Sequence, residues 1–139
     1  MENAKNMITN LVEEAISARS KAYSPYSNFQ VGAALLAKSG KVYHGCNIEN
    51  AALTPGICAE RTAFATAVYE GEREFEAIAV SGTTKAFPCG VCRQVMREFC
   101  DPDGFKIIVA DGTEAVDGYT SHTLAELLPH SFGPEAFNT

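Results

Sequence analysis

Apolar and polar positions switch between helical and strand-like spacing along the first half of the chain. Residues from about Thr9 to Ala22 carry apolar side chains at helical intervals and predict a first helix. Two largely apolar stretches, "FQVGAALLA" and "KVYHGCNI", flank "KSGK", in which Gly40 suits a hairpin turn. After a loop rich in helix breakers, a helical pattern runs from Ile57 to Glu70, and Gly71 is placed to cap that helix.

The second half continues the alternation of helices and strands. Two short and nearly continuous apolar stretches, "FEAIAVSG" and "FKIIVADG", predict buried strands. Between them "CGVCRQVMREFC" is helical until "DPDG" ends it, and Thr123 and Glu126 are spaced for a capping box at the start of "HTLAELL". The alternation indicates one mixed sheet with helices on its faces. Because the sequence shows no internal repeat or linker, we expect residues 1–139 to form a single domain.

Length and charge narrow the classes of partner. A single domain of 139 residues buries about 68–70% of its unfolded surface, so folding alone requires neither a metal nor a disulfide. The net charge is -6 and the basic residues are scattered, whereas a nucleic-acid partner requires a basic stripe. No stretch approaches the roughly 18 apolar residues of a membrane span, and the N-terminal pattern is not that of a signal peptide. We therefore expect a cytoplasmic protein with a small substrate and neither a nucleic-acid nor a membrane partner.

The chain contains five cysteines, and three of them share a placement. In a reducing cytoplasm a C-x-x-C pair is more often metal-binding or catalytic than a disulfide. Isolated thiols tend to be buried, which is the expectation for Cys46 and Cys100. Cys58, Cys89 and Cys92 instead fall at predicted helix starts. There the helix dipole favours thiolate, and the i, i+3 spacing of Cys89 and Cys92 puts both sulfurs on one side of the first turn.

Three converging thiolates predict a zinc ion with one open coordination position, which is typical of a catalytic site. Zn2+ with three thiolates carries one net negative charge, and Arg61, three residues after Cys58, is placed to offset it. Two alternatives remain open here: Cys46 as a fourth ligand, and a redox pair of Cys89 and Cys92, which gives Cys58 no role. The histidines show no ligand spacing and are expected to be structural or solvated: His44, His122 and His130.

Glu60 lies two residues after Cys58, at the start of the same predicted helix. In that position its side chain can bend over the metal, take a proton from an activated water and return it to a substrate. The alternative is a solvated acid that the helix dipole stabilises. The proximity of three thiols favours the catalytic interpretation.

The motifs "CAER" and "PCGVCRQ" resemble those of the zinc-dependent cytidine deaminases, most closely the small homotetrameric ones. The resemblance extends in order through "YSPYSNFQVGAALL", "GCNIENA", "ICAERTA", "PCGVCRQVMREF" and "ELLPHSFGPEAF". It implies a three-layer α/β/α fold with a mixed sheet of roughly five strands, one Zn2+ per chain and a homotetramer with shared active sites. It also implies hydrolytic deamination of free cytidine and 2′-deoxycytidine to uridine and 2′-deoxyuridine plus ammonia, in pyrimidine salvage.

The same resemblance assigns roles residue by residue. It implies that Cys58, Cys89 and Cys92 hold zinc and that Glu60 shuttles protons. The expected substrate contacts are the side chains of Asn47 and Glu49 on the ribose hydroxyls, Phe29 against the pyrimidine ring, and the backbone N–H of Ala59 on the ring carbonyl. Phe132 is expected to complete the pocket of a neighbouring subunit.

The chain departs from the family at Leu53, where many relatives have Tyr. This difference affects the local pocket wall and the expected breadth of substrates, but not the chemistry. A deaminase of a modified cytosine nucleoside is the alternative enzyme, and it should lack the full ribose grip of "NIEN". A structural-zinc or redox-thiol interaction module is the alternative from another class.

Overall fold

The computed structural model describes residues 2–112 and 116–137. Five strands form one mixed sheet in the order β2-β1-β3-β4-β5. The strands and helices, in chain order, are α1 (Glu2–Ala18), β1 (Gly32–Ala37), β2 (Val42–Cys46), α2 (Ala59–Tyr69), β3 (Phe75–Ser81), α3 (Gly90–Phe99), β4 (Lys106–Ala110), β5 (Tyr119–Thr123) and α4 (Leu124–Leu127). Strands β3 and β4 run parallel, whereas the β1–β2, β1–β3 and β4–β5 pairs are antiparallel.

The sheet is covered on both faces, which confirms the expected three layers. Strand β1 is buried along its whole length, and its residues alternate between two clusters. Leu35 faces α2 and α3 together with Phe64 and Met96, whereas Leu36 faces α1 together with Val12. This alternation follows from the two-residue period of a strand, which sends successive side chains to opposite faces.

Two glycines allow helices to approach the sheet closely. A Cβ atom at Gly32 would lie 2.2 Å from the Ala15 carbonyl oxygen in α1, and one at Gly45 would lie 2.1 Å from the Ala59 carbonyl oxygen in α2. Because only glycine lacks Cβ, both contacts require it. Gly45 therefore sets the distance between β2 and the first turn of α2, where Cys58 is the N-cap.

Several predicted boundaries differ from the structure. Helix α1 starts well before the predicted Thr9. The apolar pattern did not reveal its first turns, because residues 4–7 face solvent. Strand β5 has no counterpart among the predicted elements, because its sequence "YTSHT" is polar and only partly buried. His122 consequently lies in a strand and not in the predicted C-terminal helix, although the capping box of Thr123 and Glu126 is confirmed.

No helix within the described ranges is long and apolar enough to cross a membrane.

Candidate active site

The N-termini of α2 and α3 bring three cysteine sulfurs together. Cys58 is the N-cap of α2, Cys89 is the N-cap of α3, and Cys92 lies in the first turn of α3. The three Sγ atoms lie within 4.8 Å of one another, and those of Cys58 and Cys89 are 3.9 Å apart. Tetrahedral zinc with Zn–S bonds of about 2.3 Å requires sulfur separations of roughly 3.8 Å. The donor set and its spacing therefore fit one zinc ion with a fourth position free for a water.

Thr62 and Gly45 hold Cys58 in place. The Thr62 hydroxyl shares its one hydrogen between the carbonyl oxygens of Cys46 at 3.0 Å and Cys58 at 3.1 Å. These bonds join the last residue of β2 to the N-cap of α2, and the close approach at Gly45 brings the two elements together. The position of the first ligand is thus set by the sheet.

The other cysteines do not join this cluster. Cys100 is buried as expected, whereas Cys46 is only partly buried, so that expectation is wrong for Cys46. Its Sγ donates to the Lys21 carbonyl oxygen at 3.4 Å, because it faces the turn after α1. Among the described residues, the sulfur cluster contains Cys58, Cys89 and Cys92 without Cys46. A redox pair of Cys89 and Cys92 leaves the third sulfur unexplained.

Among the described residues, no histidine belongs to the cluster of possible metal ligands, and the contacts of two of them fit the expected structural or solvated role. The His44 ring nitrogen Nε2 lies 2.7 Å from a Glu14 carboxylate oxygen on the surface. His122 Nε2 lies 2.9 Å from the Thr120 hydroxyl, and its ring packs against Phe87.

Arg61 compensates part of the negative charge on the sulfurs. Its Nη2 lies 3.5 Å from the Cys58 Sγ atom. The pKa of Cys58 falls to about 5, because its sulfur accepts a hydrogen bond from the Cys92 thiol and lies beside Arg61 and Cys89. The pKa of Cys92 rises, because this thiol holds the proton that it donates to Cys58 and is desolvated. Cys58, Cys89 and Cys92 would release such protons on holding zinc, since metal ligation requires thiolates.

Glu60 is a buried acid beside the sulfurs. It is 4% exposed, so the alternative of a solvated surface acid does not apply. Burial raises the pKa of Glu60 to about 7, and the charge of Cys58 acts in the same direction. A carboxyl group with a pKa near neutrality can both accept and donate a proton, as a general acid–base catalyst requires.

A cavity of about 270 Å3 opens beside the cluster and brings the expected substrate-binding residues together. Its lining joins Glu60 and two of the cysteines with four residues predicted from the sequence, namely Phe29, Asn47, Glu49 and Ala59. The lining also includes residues that sequence reasoning did not identify: Ser27, Val31, Val80, Ala86 and Phe87. Of these, Phe87 had a usable signal, because an aromatic residue directly precedes the "PCGVC" motif.

Asn47 and Glu49 are held rigidly at one side of this cavity. Asn47 Oδ1 accepts from the Val31 N–H at 2.8 Å, and its Nδ2 donates to the Phe29 carbonyl oxygen at 2.7 Å. Glu49 Oε1 accepts from the backbone N–H groups of Tyr26 at 2.9 Å and Ser27 at 3.2 Å. Glu49 Oε2 accepts from the Ser27 hydroxyl at 2.5 Å. These bonds lower the pKa of Glu49, with the Ser27 hydroxyl as the largest cause.

Phe132 and Leu53 lie outside this cavity. Phe132 is 62% exposed and packs edge-to-face on Phe137, with ring centroids 5.7 Å apart. Leu53 is 80% exposed in the loop before α2 and lines a neighbouring surface depression of about 460 Å3. That depression shares Ser27, Asn47, Glu49 and Cys58 with the cavity beside the cluster.

Comparison with known proteins agrees with this geometry. The model of the cytidine and deoxycytidylate deaminase zinc-binding region matches residues 5–110. A cytidine deaminase of Sporosarcina psychrophila is 47% identical over 133 residues, covering 92% of this chain and 93% of the relative. One of Halalkalibacterium halodurans is 49% identical over 130 residues, covering 92% and 96%. The crystal structure of cytidine deaminase from Burkholderia pseudomallei superimposes with a TM-score of 0.82 and 46% identity, covering 88% of this chain and 97% of that one. The chain therefore belongs to the zinc-dependent cytidine deaminase family.

Proposed function

We propose that this chain hydrolyses free cytidine and 2′-deoxycytidine to uridine and 2′-deoxyuridine plus ammonia, as a step of pyrimidine salvage. The observation that carries the proposal is the burial of Glu60 beside three converging sulfurs at one end of a nucleoside-sized cavity. Cys58, Cys89 and Cys92 would hold the zinc ion, which would supply an activated water as the nucleophile.

The residues of the chain supply the proton transfers. Glu60 accepts the proton of the attacking water and gives it to the ring nitrogen next to the amine-bearing carbon. Glu60, ionised again, then accepts the second proton, from the hydroxyl added to the ring carbon, and transfers it to the amine; the carbonyl forms as the carbon–nitrogen bond breaks and ammonia leaves. The backbone N–H of Ala59 donates to the ring carbonyl, and Phe29, 36% exposed at the cavity wall, packs on the pyrimidine. Arg61 keeps the sulfur cluster from becoming too negative to activate the water.

The charge of the cavity favours nucleosides over nucleotides. Within the described chain, none of the residues lining the cavity or the neighbouring depression is Lys, Arg or His, and Glu49 belongs to both. A 5′-phosphate placed there would lose its hydration without gaining a cation. We therefore expect cytidine to be deaminated and deoxycytidylate to be a poor substrate, and comparable kcat/KM values for the two would contradict this assignment.

The unused hydrogen-bonding capacity of Asn47 and Glu49 matches one sugar hydroxyl. A carboxylate accepts about four hydrogen bonds and a side-chain amide donates two. Three acceptor sites of Glu49 and one N–H of Asn47 are already engaged. One acceptor site of Glu49, one N–H of Asn47 and the second lone pair of Asn47 Oδ1 remain, so the pair can accept from and donate to one hydroxyl that both substrates carry. The 3′-hydroxyl fits, so 3′-deoxycytidine should lose far more kcat/KM than 2′-deoxycytidine, and the reverse order would contradict the assignment.

Glu60→Gln tests the chemistry directly. The variant should retain the fold and one zinc per chain, yet lose cytidine turnover by about 100- to 10,000-fold, followed as loss of ultraviolet absorbance. Glu70→Gln is the matched control, because Glu70 is exposed at the other end of α2. Undiminished deamination by Glu60→Gln would refute the proposed role.

We further propose a homotetramer in which Phe132 reaches the pocket of a neighbouring copy. The support is its exposed side chain, which lies outside the lining of its own chain's cavity while Gln94 holds its carbonyl oxygen at 2.9 Å. Phe132→Ala should raise KM for cytidine, and light scattering should give a tetramer mass for the wild type. A monomer with full activity would contradict this arrangement.

We also propose that the protein is located in the cytoplasm, because the free thiols of its metal site fit a reducing compartment.

A further inference from the structure

Arg93 follows Cys92 on α3 and holds the turn that carries Cys89. Its backbone N–H donates to the Cys89 carbonyl oxygen at 3.0 Å. Its side-chain Nε donates to the Pro88 carbonyl oxygen at 2.8 Å, and Nη1 donates to the Leu127 carbonyl oxygen at 2.8 Å. One partly buried residue therefore binds two consecutive carbonyls of the ligand turn and the last carbonyl of α4.

The ligand turn needs such a contact because it ends an irregular segment. Residues 82–89, between β3 and α3, contain neither helix nor strand. No ladder of strand hydrogen bonds fixes the Pro88–Cys89 peptide, and Pro88 has no N–H with which to form one. Cys58, by contrast, is tied to β2 through Thr62. The position of the Cys89 sulfur thus depends on contacts that α3 makes with the turn.

We propose that Arg93 is a positioning residue of the metal centre, which fixes Cys89 by holding the Pro88 carbonyl and anchors that turn to the end of α4. The inference rests on the zinc-dependent function proposed above. A guanidinium presents its N–H donors in a fixed, planar fork and can therefore bind two separate carbonyl oxygens at once. The single ammonium nitrogen of lysine cannot reach both the Pro88 and the Leu127 carbonyl oxygens. Arg93 acts on the metal site only through the ligand turn, because it does not line the cavity beside the cluster.

The second contact of Arg93 gives the ligand turn a link to the C-terminal segment. Leu127 ends α4, and the chain then continues to Ser131 and Glu135, both of which bind Arg97 one turn further along α3. Arg97 has no hydrogen bond to the ligand turn among those of the described residues, although it lies on the same helix and holds the same segment. This difference makes Arg97 the matched control for Arg93.

The test compares zinc release from the full-length, zinc-loaded Arg93→Ala, Arg93→Lys and Arg97→Ala variants. Zinc transfer to a chromogenic chelator is followed at one temperature, alongside the melting temperature and the kcat and KM for cytidine. Residues that orient metal ligands typically change metal affinity by about 10- to 100-fold. We expect release at least about tenfold faster in both Arg93 variants and a wild-type rate in Arg97→Ala, even where the melting temperatures of the variants agree.

Cobalt substitution supplies a readout that a general loss of stability does not move. The thiolate-to-cobalt absorption bands should shift in Arg93→Lys and Arg93→Ala and stay unchanged in Arg97→Ala. Wild-type zinc release in the Arg93 variants, or the same acceleration in Arg97→Ala, overturns the proposal. Should Arg93→Ala fail to fold, Arg93→Lys decides by itself. A wild-type chain that binds zinc but does not deaminate cytidine would refute the proposed function. The role of Arg93 would still be tested by the rate of zinc release from its variants relative to wild type.

Discussion

Replacing Gly45 with alanine should displace the first turn of α2 and with it the metal site. The added Cβ would lie 2.1 Å from the Ala59 carbonyl oxygen and 2.6 Å from the Ala63 nitrogen, both backbone atoms that cannot rotate away. Ordinary contact begins at 3.4 Å, so the deficit is 3.4 − 2.1 = 1.3 Å. The helix must therefore recede from β2 by on the order of 1 Å, at a cost of about 1–3 kcal/mol for overpacking.

The receding turn carries both Cys58 and Glu60, so the expected effect on catalysis exceeds the effect on stability. A displacement of about 1 Å between reacting groups can reduce turnover about 100-fold. Zinc should also bind more weakly, because Cys58 withdraws from the sulfurs of Cys89 and Cys92. The assays are cytidine turnover per zinc-loaded chain, zinc content after dialysis, and urea denaturation.

Gly32→Ala separates the two effects. Its Cβ would lie 2.2 Å from the Ala15 carbonyl oxygen, a clash of the same size, but against α1 on the opposite face of the sheet. We expect a similar loss of stability with near-normal zinc content and turnover. Equal loss of turnover in both variants, or full turnover in Gly45→Ala, would refute the reasoning.

Three further predictions concern stability. Thr62→Val keeps the shape of the side chain but removes the hydroxyl that binds the Cys46 and Cys58 carbonyls. The free energy of unfolding, measured with urea, should fall by about 1–3 kcal/mol, and an unchanged midpoint would count against that contact. Phe64→Ala removes a 2% exposed ring whose centroid lies 5.0 Å from that of Phe75. The free energy of unfolding should fall by about 3–5 kcal/mol, and a loss below about 1 kcal/mol would show that the core refills the space. The pKa of Glu49 lies below its ordinary value of 4.5. Its contribution to the stability of the fold is therefore present above that pH and disappears as the pH falls through the folded-state pKa. Glu49→Gln should therefore flatten the acid side of the curve of melting temperature against pH, and an identical curve would contradict this.

The hydrophobic pattern of the sequence predicted the buried strands of the sheet but did not predict β5, which is only partly buried. β1, β3 and β4 are buried along most of their length, so their apolar runs were visible in the sequence. β5 joins the sheet through backbone pairing with β4, and its side chains are only partly buried. Backbone hydrogen bonds leave no mark on side-chain composition, so such an edge strand carries little signal.

The site shows the same division. The cysteine spacing and the position of Glu60 were readable because each lies in a short motif. Ser27 and Arg93 were not identified, although the first binds Glu49 and the second binds the turn before Cys89. Their importance depends on partners that lie elsewhere in the chain, and no local pattern marks them.

The kinds of ligand, their placement at two helix starts and the apolar core of the sheet could be predicted from the sequence, because these depend on residue type and local spacing. Tertiary packing alone brings the sulfurs of Cys58 and Cys89, 31 positions apart, to 3.9 Å from each other. It also buries Glu60 and raises its pKa to about 7. Distances between remote segments and the desolvation of a carboxyl group arise only when the sheet and helices pack together.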